Sequence, residues 1–166
     1  MRRSATLMMA AFAISTTAWA GSGPIEAATP EAFVRSLYAH YGDTQGFDSQ
    51  TFYSPGLRRL FERNSRLLGG EVGENNDDDE LCQCQDAQGL KLVGLVVSLQ
   101  RPHKADARVR FVVGEARDGV SLKLVLTPLG WRIDDVIHSR KGRSSSLRAR
   151  LVEENRRLGD AAARRR

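Results

Sequence analysis

The two cysteines of the chain, Cys82 and Cys84, are the residues whose type and spacing most directly suggest chemistry. They follow an acidic run in the segment DDDELCQCQD. Such a pair can form a local disulfide, remain as thiols, pair between molecules or supply half of a tetrahedral metal site. An even cysteine number in an oxidising compartment favours the local disulfide. The three histidines stand far away in sequence, so we expect no metal and no cofactor, although two thiolates would suit Cu(I).

The acidic run is the second feature that could carry function. Residues 71–86 hold seven acidic side chains and neither lysine nor arginine. A charge run of this kind is usually a solvated loop. The sharper interpretation is that Asp77, Asp78, Asp79 and Glu80 bind a cationic protein partner.

Asp135 is the third candidate. In WRIDDVIH, strand alternation predicts Asp135 on the apolar side with Trp131 and Ile133. A carboxylate there must be paired, hydrogen-bonded or protonated, so it could act as a general base in a pocket or accept backbone N–H bonds from a helix end. The pocket candidates are Tyr38, Asp86, Trp131 and Asp135. No Ser-His-Asp or Cys-His spacing is recognisable, so no catalytic residue is assigned and we expect a non-enzymatic protein.

Local signals predict the elements that position these residues. Thr29-Pro30 and Ser54-Pro55 predict helix starts, and glycines at 42 and 69–70 predict the helix ends. Apolar alternation predicts four strands between residues 90 and 138, and a last helix is expected over about 145–158. The order favours one α+β domain over residues 29–158. In it the N-terminal helices pack on a curved antiparallel four-stranded sheet, followed by a C-terminal helix.

The N-terminal residues predict export. Arg2 and Arg3 precede a short apolar core, and Ala18-Trp19-Ala20 is a small-x-small cleavage site. The apolar core is shorter than the roughly 20 residues needed to cross a bilayer. We therefore expect residues 1–20 to be a signal peptide cleaved after Ala20 and residues 21–28 to be a flexible lead-in. The mature protein is expected in the periplasm with no transmembrane segment.

Positive charge is concentrated at the C-terminus. Residues 140–166 hold 10 basic and 3 acidic residues, whereas residues 21–139 hold 13 basic and 17 acidic residues. The tail has no aromatic side chains to stack on bases, and the expected compartment offers few nucleic acids, so we expect no nucleic-acid partner. Residues 159–166 are predicted to be a basic disordered tail. At most this Arg-rich tail would contact anionic lipid headgroups weakly.

Several segments together resemble a known family. They are FVRSLYAHY, TFYSPGLRRLF, CQD, LTPLGWRIDDV and SLRARL. These look like the bacterial domain-of-unknown-function 3828 family over about residues 30–151, although the acidic run and Cys82 depart from its pattern. The resemblance implies an exported NTF2-like or cystatin-like α+β protein, and some similar proteins are periplasmic immunity partners of toxins. We therefore expect a protein-binding module, specifically an immunity protein. The alternative is an NTF2-like small-ligand-binding or pocket-enzyme domain using Asp135.

Overall fold

Three helices and a five-stranded antiparallel sheet form the described part of the chain. The computed structural model describes residues 29–41, 49–69, 79–84, 87–140 and 142–164. Asp77, Asp78 and Asp86 lie outside these residues, as do the predicted signal peptide and lead-in. The predicted α+β class is confirmed. Within the described ranges, no helix combines the length and apolar character needed to cross a membrane.

Each helix begins at a side-chain hydroxyl that accepts a backbone N–H bond. The helices are α1 (Pro30–Tyr41), α2 (Pro55–Leu67) and α3 (Leu147–Ala163), and a 3₁₀ turn (Ser49–Phe52) precedes α2. The capping oxygens belong to Thr29, Ser54 and Ser146, at 3.0–3.1 Å from the amide they bind. Proline at the first position of α1 and α2 has no N–H to leave unsatisfied, which reinforces both starts.

The sheet is a meander in which each strand pairs with the next. Its strands are β1 (Lys91–Arg101), β2 (Lys104–Val113), β3 (Ala116–Thr127), β4 (Gly130–Arg140) and β5 (Arg143–Ser146). The predicted number of four strands is wrong because β5, with the sequence RSSS, has no apolar alternation. Its pairing follows from the tight link to β4, where Gly142 takes a left-handed φ of 76°.

One face of the sheet carries the core and the other is open. Alternate side chains of β2 and β3 are buried against the helices: Ala105, Ala107, Val109, Phe111, Val120, Leu122 and Leu124. All three helices contribute buried side chains to this same cluster, among them Phe33, Leu57 and Leu151. The intervening residues of β2, including Arg108 and Arg110, are exposed on the opposite face. The helices therefore lie on one side of the sheet.

β4 contains a bulge at Asp134 that overturns the predicted placement of Asp135. Lys123 pairs with Asp135 but the next residue, Leu124, pairs with Ile133, which leaves Asp134 as an extra residue. Because a one-residue insertion reverses the alternation, Val136 is buried after the bulge and Asp135 is half-buried on the other face, beside exposed Lys123. The prediction that Asp135 shares the apolar side with Trp131 and Ile133 is wrong.

The carboxylate of Asp134 connects the starts of two helices. Its Oδ1 accepts bonds from the Ser54 hydroxyl at 2.7 Å and from Nη2 of Arg148 at 2.5 Å. The backbone carbonyl of Asp134 also accepts a bond from Nε of Arg148. Ser54 itself donates its N–H to the carbonyl of Ile133 at 2.7 Å. The bulge thus holds the first turns of α2 and α3 against β4.

Helix α3 extends further than the sequence predicts. It runs to Ala163, so the prediction of a disordered tail from residue 159 is wrong up to that point. Buried Asn155 donates to the carbonyl of Leu60 and accepts a bond from the amide of Asn64, which fastens α3 to α2. Beyond that contact, Arg156 pairs with Asp160 four residues later, and alanines favour continued helix.

Replacing Asp134 tests the role of the bulge. Asp134→Ala should lower the free energy of unfolding by about 1–2 kcal/mol, because Ser54 and Arg148 both lose their acceptor. Urea denaturation measures this change. The control Glu115→Ala removes an exposed carboxylate at the β2–β3 turn and should change stability by less than about 0.5 kcal/mol. Equal effects of the two substitutions would contradict the proposed role.

Candidate functional site

The open face of the sheet contains a groove whose floor is made by two glycines. Gly94 of β1 and Gly119 of β3 both pair with Arg110 of β2 in register. A Cβ on Gly94 would come within 2.9 Å of Nε of Arg110, and one on Gly119 within 2.4 Å of the Val109 carbonyl oxygen. Any larger residue at either position would therefore force a shift of its neighbours. The Arg110 side chain lies over Gly94, and both glycines line a shallow trough on this face of the sheet.

Two adjoining hollows make up this trough, which we call the basic groove and define by Arg108, Arg110 and Arg117. Their volumes are about 420 and 390 Å³, and both are lined by Arg110 and Gly119. One hollow extends towards Arg117 and the other towards Arg108 and the edge of β4. Their volumes fall within the range of ligand pockets, but both are open surface depressions that could not bury most of a small molecule, so side chains of a partner suit them better.

The basic groove holds three arginines and one carboxylate, Asp118, which lines the same hollow as Arg110 and Arg117. Among the described residues, none of the three arginines forms an ion pair, whereas nearby Lys123 is paired with Asp106 at 2.7 Å. Each of the three side chains is exposed. Unpaired guanidinium groups on one face create a positive potential that attracts carboxylates and can bind them in bidentate fashion.

Apolar side chains stand beside these charges. Val93 and Val96 of β1 are 55% and 64% exposed, and Leu99 on the same strand is 65% exposed. Isolated exposed apolar residues are normal, but Val93 and Val96 line the same hollows as the arginines, which combines two features that are common in protein interfaces. Leu99 pairs with buried Ala105 and so belongs to the other face. The strand alternation of Arg108 and Arg110 was visible in the sequence. The glycine register that makes the groove was not, because it depends on which strands pair.

The predicted partner-binding acids Asp79 and Glu80 are engaged inside the chain. Oδ1 of Asp79 accepts a bond from the N–H of Leu81 at 2.7 Å, which shapes the turn. The Glu80 side chain is only 11% exposed; it pairs with Arg150 and lies 3.4 Å from Nε2 of buried His138. The predicted solvated loop is therefore wrong for Glu80. Asp77 and Asp78 lie outside the described residues, so their role stays a prediction.

Cys82 and Cys84 are joined by a disulfide in this structure. Their Cα atoms are 5.2 Å apart, within the range for such bridges. Cys82 is 2% exposed and belongs to the core cluster, while Cys84 is half-buried at its edge. Closing a ring this short contributes only on the order of 1–2 kcal/mol through chain entropy. The sequence was compatible with a local disulfide, free thiols, an intermolecular disulfide or a metal site, and the structure contains the local disulfide.

Among the described residues, the pocket candidates Tyr38, Trp131 and Asp135 line neither of the two hollows of the basic groove. Tyr38 and Trp131 are buried core residues, and neither lines the basic groove. Asp135 caps α3: its Oδ1 accepts the N–H of Arg148 at 2.9 Å and its Oδ2 accepts the Ser146 hydroxyl at 2.7 Å. With both oxygens engaged, Asp135 has the helix-end role, and the geometry does not support a general base. Asp86 lies outside the described residues.

Tyr38 anchors the cysteine loop to the core. Its hydroxyl donates to the carbonyl of Leu81 at 2.9 Å, and its ring stacks on Phe111 with centroids 6.0 Å apart. Burial raises the pKa of the Tyr38 phenol well above its usual value, and the charges of Asp79 and Tyr53 raise that pKa further. The neutral phenol is therefore strongly favoured in the folded state.

Neither a metal cluster nor a relative identifies the site. Over the described residues, no group of three or more histidine, cysteine, aspartate or glutamate side chains is arranged to hold a metal ion. No family model matches the sequence, and no curated protein or solved structure is significantly similar to it. The function must therefore be argued from the geometry of the chain itself.

Replacing Glu80 separates a structural role from a binding role. Glu80→Ala should lower the free energy of unfolding by about 1–3 kcal/mol, because Arg150 loses its acceptor and the carboxylate beside His138 is removed. Thermal and urea denaturation measure this change. Glu62→Ala on the exposed side of α2 is the matched control and should be nearly neutral. A stable Glu80→Ala protein that loses only partner binding would restore the prediction that Glu80 contacts a partner.

The raised pKa of Tyr38 predicts that the free energy of unfolding falls at alkaline pH. Because the folded-state pKa lies above the unfolded one, the stabilisation is complete below pH 10 and is lost as pH rises towards the folded pKa. Above about pH 10 the wild type should lose up to about 1.4 kcal/mol per pH unit more than Tyr38→Phe. Urea denaturation from pH 8 to 11.5 tests this expectation. Parallel curves for the two proteins would contradict it.

Proposed function

We propose that the protein is a non-enzymatic, exported protein-binding module whose partner docks on the basic groove. The observation that carries the proposal is the set of exposed arginines that form no ion pair with any described residue, bordered by exposed Val93 and Val96. Arginine is enriched at protein interfaces and often dominates their energetics. Gly94 and Gly119 leave room for the Arg110 side chain to lie across the sheet.

The charge of the groove defines the chemistry of the partner. The complementary partner surface has carboxylates around an apolar centre. Its carboxylates would contact Arg108, Arg110 and Arg117, and its apolar centre would cover Val93 and Val96. This reverses the cationic partner expected from the acidic run. Internal pairing of Asp79 and Glu80 supports the reversal. A cationic partner for Asp77 and Asp78 stays the alternative.

The resemblance supports a more specific form of this proposal. Helices on one face of an antiparallel meander are compatible with the NTF2-like or cystatin-like fold that the resemblance implies. The same resemblance supports an immunity protein that neutralises a toxin acting in the periplasm. The signal-like residues 1–20 support export, with cleavage after Ala20. A pocket enzyme that uses Asp135 gains no support, because that carboxylate caps α3.

Co-expression tests the immunity role. A toxin encoded beside this gene is directed to the periplasm with and without this protein, and growth and co-purification are measured. We expect rescued growth and a stable complex. The absence of both rescue and a complex would contradict the immunity role. A complex without rescue would support only the binding module.

Charge reversal tests the surface. Arg108→Glu combined with Arg110→Glu should weaken binding at least about tenfold and reduce its salt dependence, because carboxylates then face carboxylates. The matched control is Arg59→Glu on the exposed side of α2, which should leave affinity unchanged. Circular dichroism checks that both proteins fold. Undiminished binding by the folded double variant would reject the basic groove as the docking surface.

A further inference from the structure

The Cys82–Cys84 pair is a reactive group that the proposed docking function does not use. We propose that it is a thiol–disulfide exchange site, in which Cys84 is the sulfur attacked by a thiol of a protein or peptide dithiol. Four observations support this assignment: the unequal burial of the two cysteine residues, a hydrogen bond to one sulfur, the backbone at Gln83 and the independent anchoring of the loop.

Burial determines which sulfur can be attacked. Cys82 is 2% exposed and lies in the core cluster, whereas Cys84 is half-buried at the edge of that cluster. An incoming thiolate must approach the attacked sulfur along the line of the sulfur–sulfur bond, so access selects the target. Cys84 is the accessible member, and Cys82 becomes the leaving group.

A backbone amide is in place to stabilise that leaving group. The N–H of Cys84 donates to Sγ of Cys82 at 3.2 Å. A hydrogen bond to the charged form favours ionisation, so this contact favours the Cys82 thiolate released by the exchange. The same contact keeps the thiolate beside Cys84, where it can attack the mixed disulfide and close the ring again.

The backbone of the ring favours opening. Gln83, between the two cysteines, has a φ of 52°, in the left-handed region that residues with a side chain rarely adopt. Opening the ring removes one of the constraints on this conformation, while the bond from the Gln83 N–H to the Asp79 carbonyl remains. A three-residue ring also contributes little through chain entropy, so the bridge is not needed to hold the chain together.

The loop stays anchored without the bridge. Asp79 accepts bonds from Leu81, Cys82 and Gln83, Tyr38 holds the Leu81 carbonyl and Glu80 is paired with Arg150. None of these contacts uses the sulfur–sulfur bond. The site can therefore pass between oxidised and reduced states while the domain remains folded, as an exchange site must.

The reaction balances between the two partners. The first thiolate of the dithiol bonds to Sγ of Cys84, the bond between the two cysteines breaks and its electron pair leaves with Cys82. The second thiolate of the partner then attacks the partner's first sulfur, which is bonded to Cys84 in the mixed disulfide, and Cys84 leaves as a thiolate. The partner gives up two electrons and becomes a disulfide, and the two cysteines take up those electrons and, with two protons, become thiols.

Single-cysteine variants test the asymmetry. Reduced Cys82→Ser and Cys84→Ser are mixed with oxidised glutathione in native buffer, and adducts are followed by mass spectrometry. Cys82→Ser should form the adduct at least about tenfold faster, because its remaining thiol is the accessible one. Both variants in urea provide the unfolded reference. Equal native rates, or a faster rate for Cys84→Ser, would overturn the assignment of Cys84.

Wild-type protein tests the exchange itself. The oxidised protein is mixed with a synthetic peptide that carries two reduced cysteines, and peptide disulfide and protein fold are measured together. We expect transfer of one disulfide per protein with the circular dichroism spectrum unchanged, and no transfer from the protein lacking both cysteines. Peptide oxidation at the rate without protein, or transfer only when the protein unfolds, would overturn the proposal. Neither outcome depends on the basic groove.

Discussion

The rest of the fold depends on the bulge at Asp134 in β4. Because of the extra residue, the two neighbouring carboxylates make different contacts. Asp134 accepts bonds from Ser54 and Arg148, and Asp135 caps the first turn of α3. The same insertion reverses the strand alternation, so Ile133 before it and Val136 after it both reach the core. Two helices are thereby placed on one face of the sheet through adjacent residues of one strand.

Placing every described helix on one face has a direct consequence for function. None of these described helices covers the other face, and there Gly94 and Gly119 flank Arg110 in register. The outward side chains of β2 must then be polar or charged, and those near the groove are arginines without ion pairs in the described structure. The candidate docking surface follows from the same layering that builds the core.

Local sequence signals predicted the helix starts, but they failed for side chains whose position depends on residues distant in the sequence. The starts of α1 and α2 could be predicted because Thr29 and Ser54 each stand before a proline. Asp135 was misplaced because its bulge is held by Ser54, 80 residues before Asp134, and by Arg148. Glu80 could not be assigned because its partner Arg150 lies 70 residues away in the sequence. Strand β5 could not be predicted because its sequence RSSS has no apolar alternation and it is recognised only by its pairing with β4.

Net charge is therefore a poor guide to what this chain presents to a partner. Residues 21–139 hold more acids than bases, yet the open face is basic. The reason is that Asp79, Glu80, Asp134 and Asp135 are used inside the fold, as acceptors for backbone amides, hydroxyls and arginines. Carboxylates that close turns and cap helices are occupied by these contacts, so the acidic balance of residues 21–139 does not predict the sign of the charge in the basic groove.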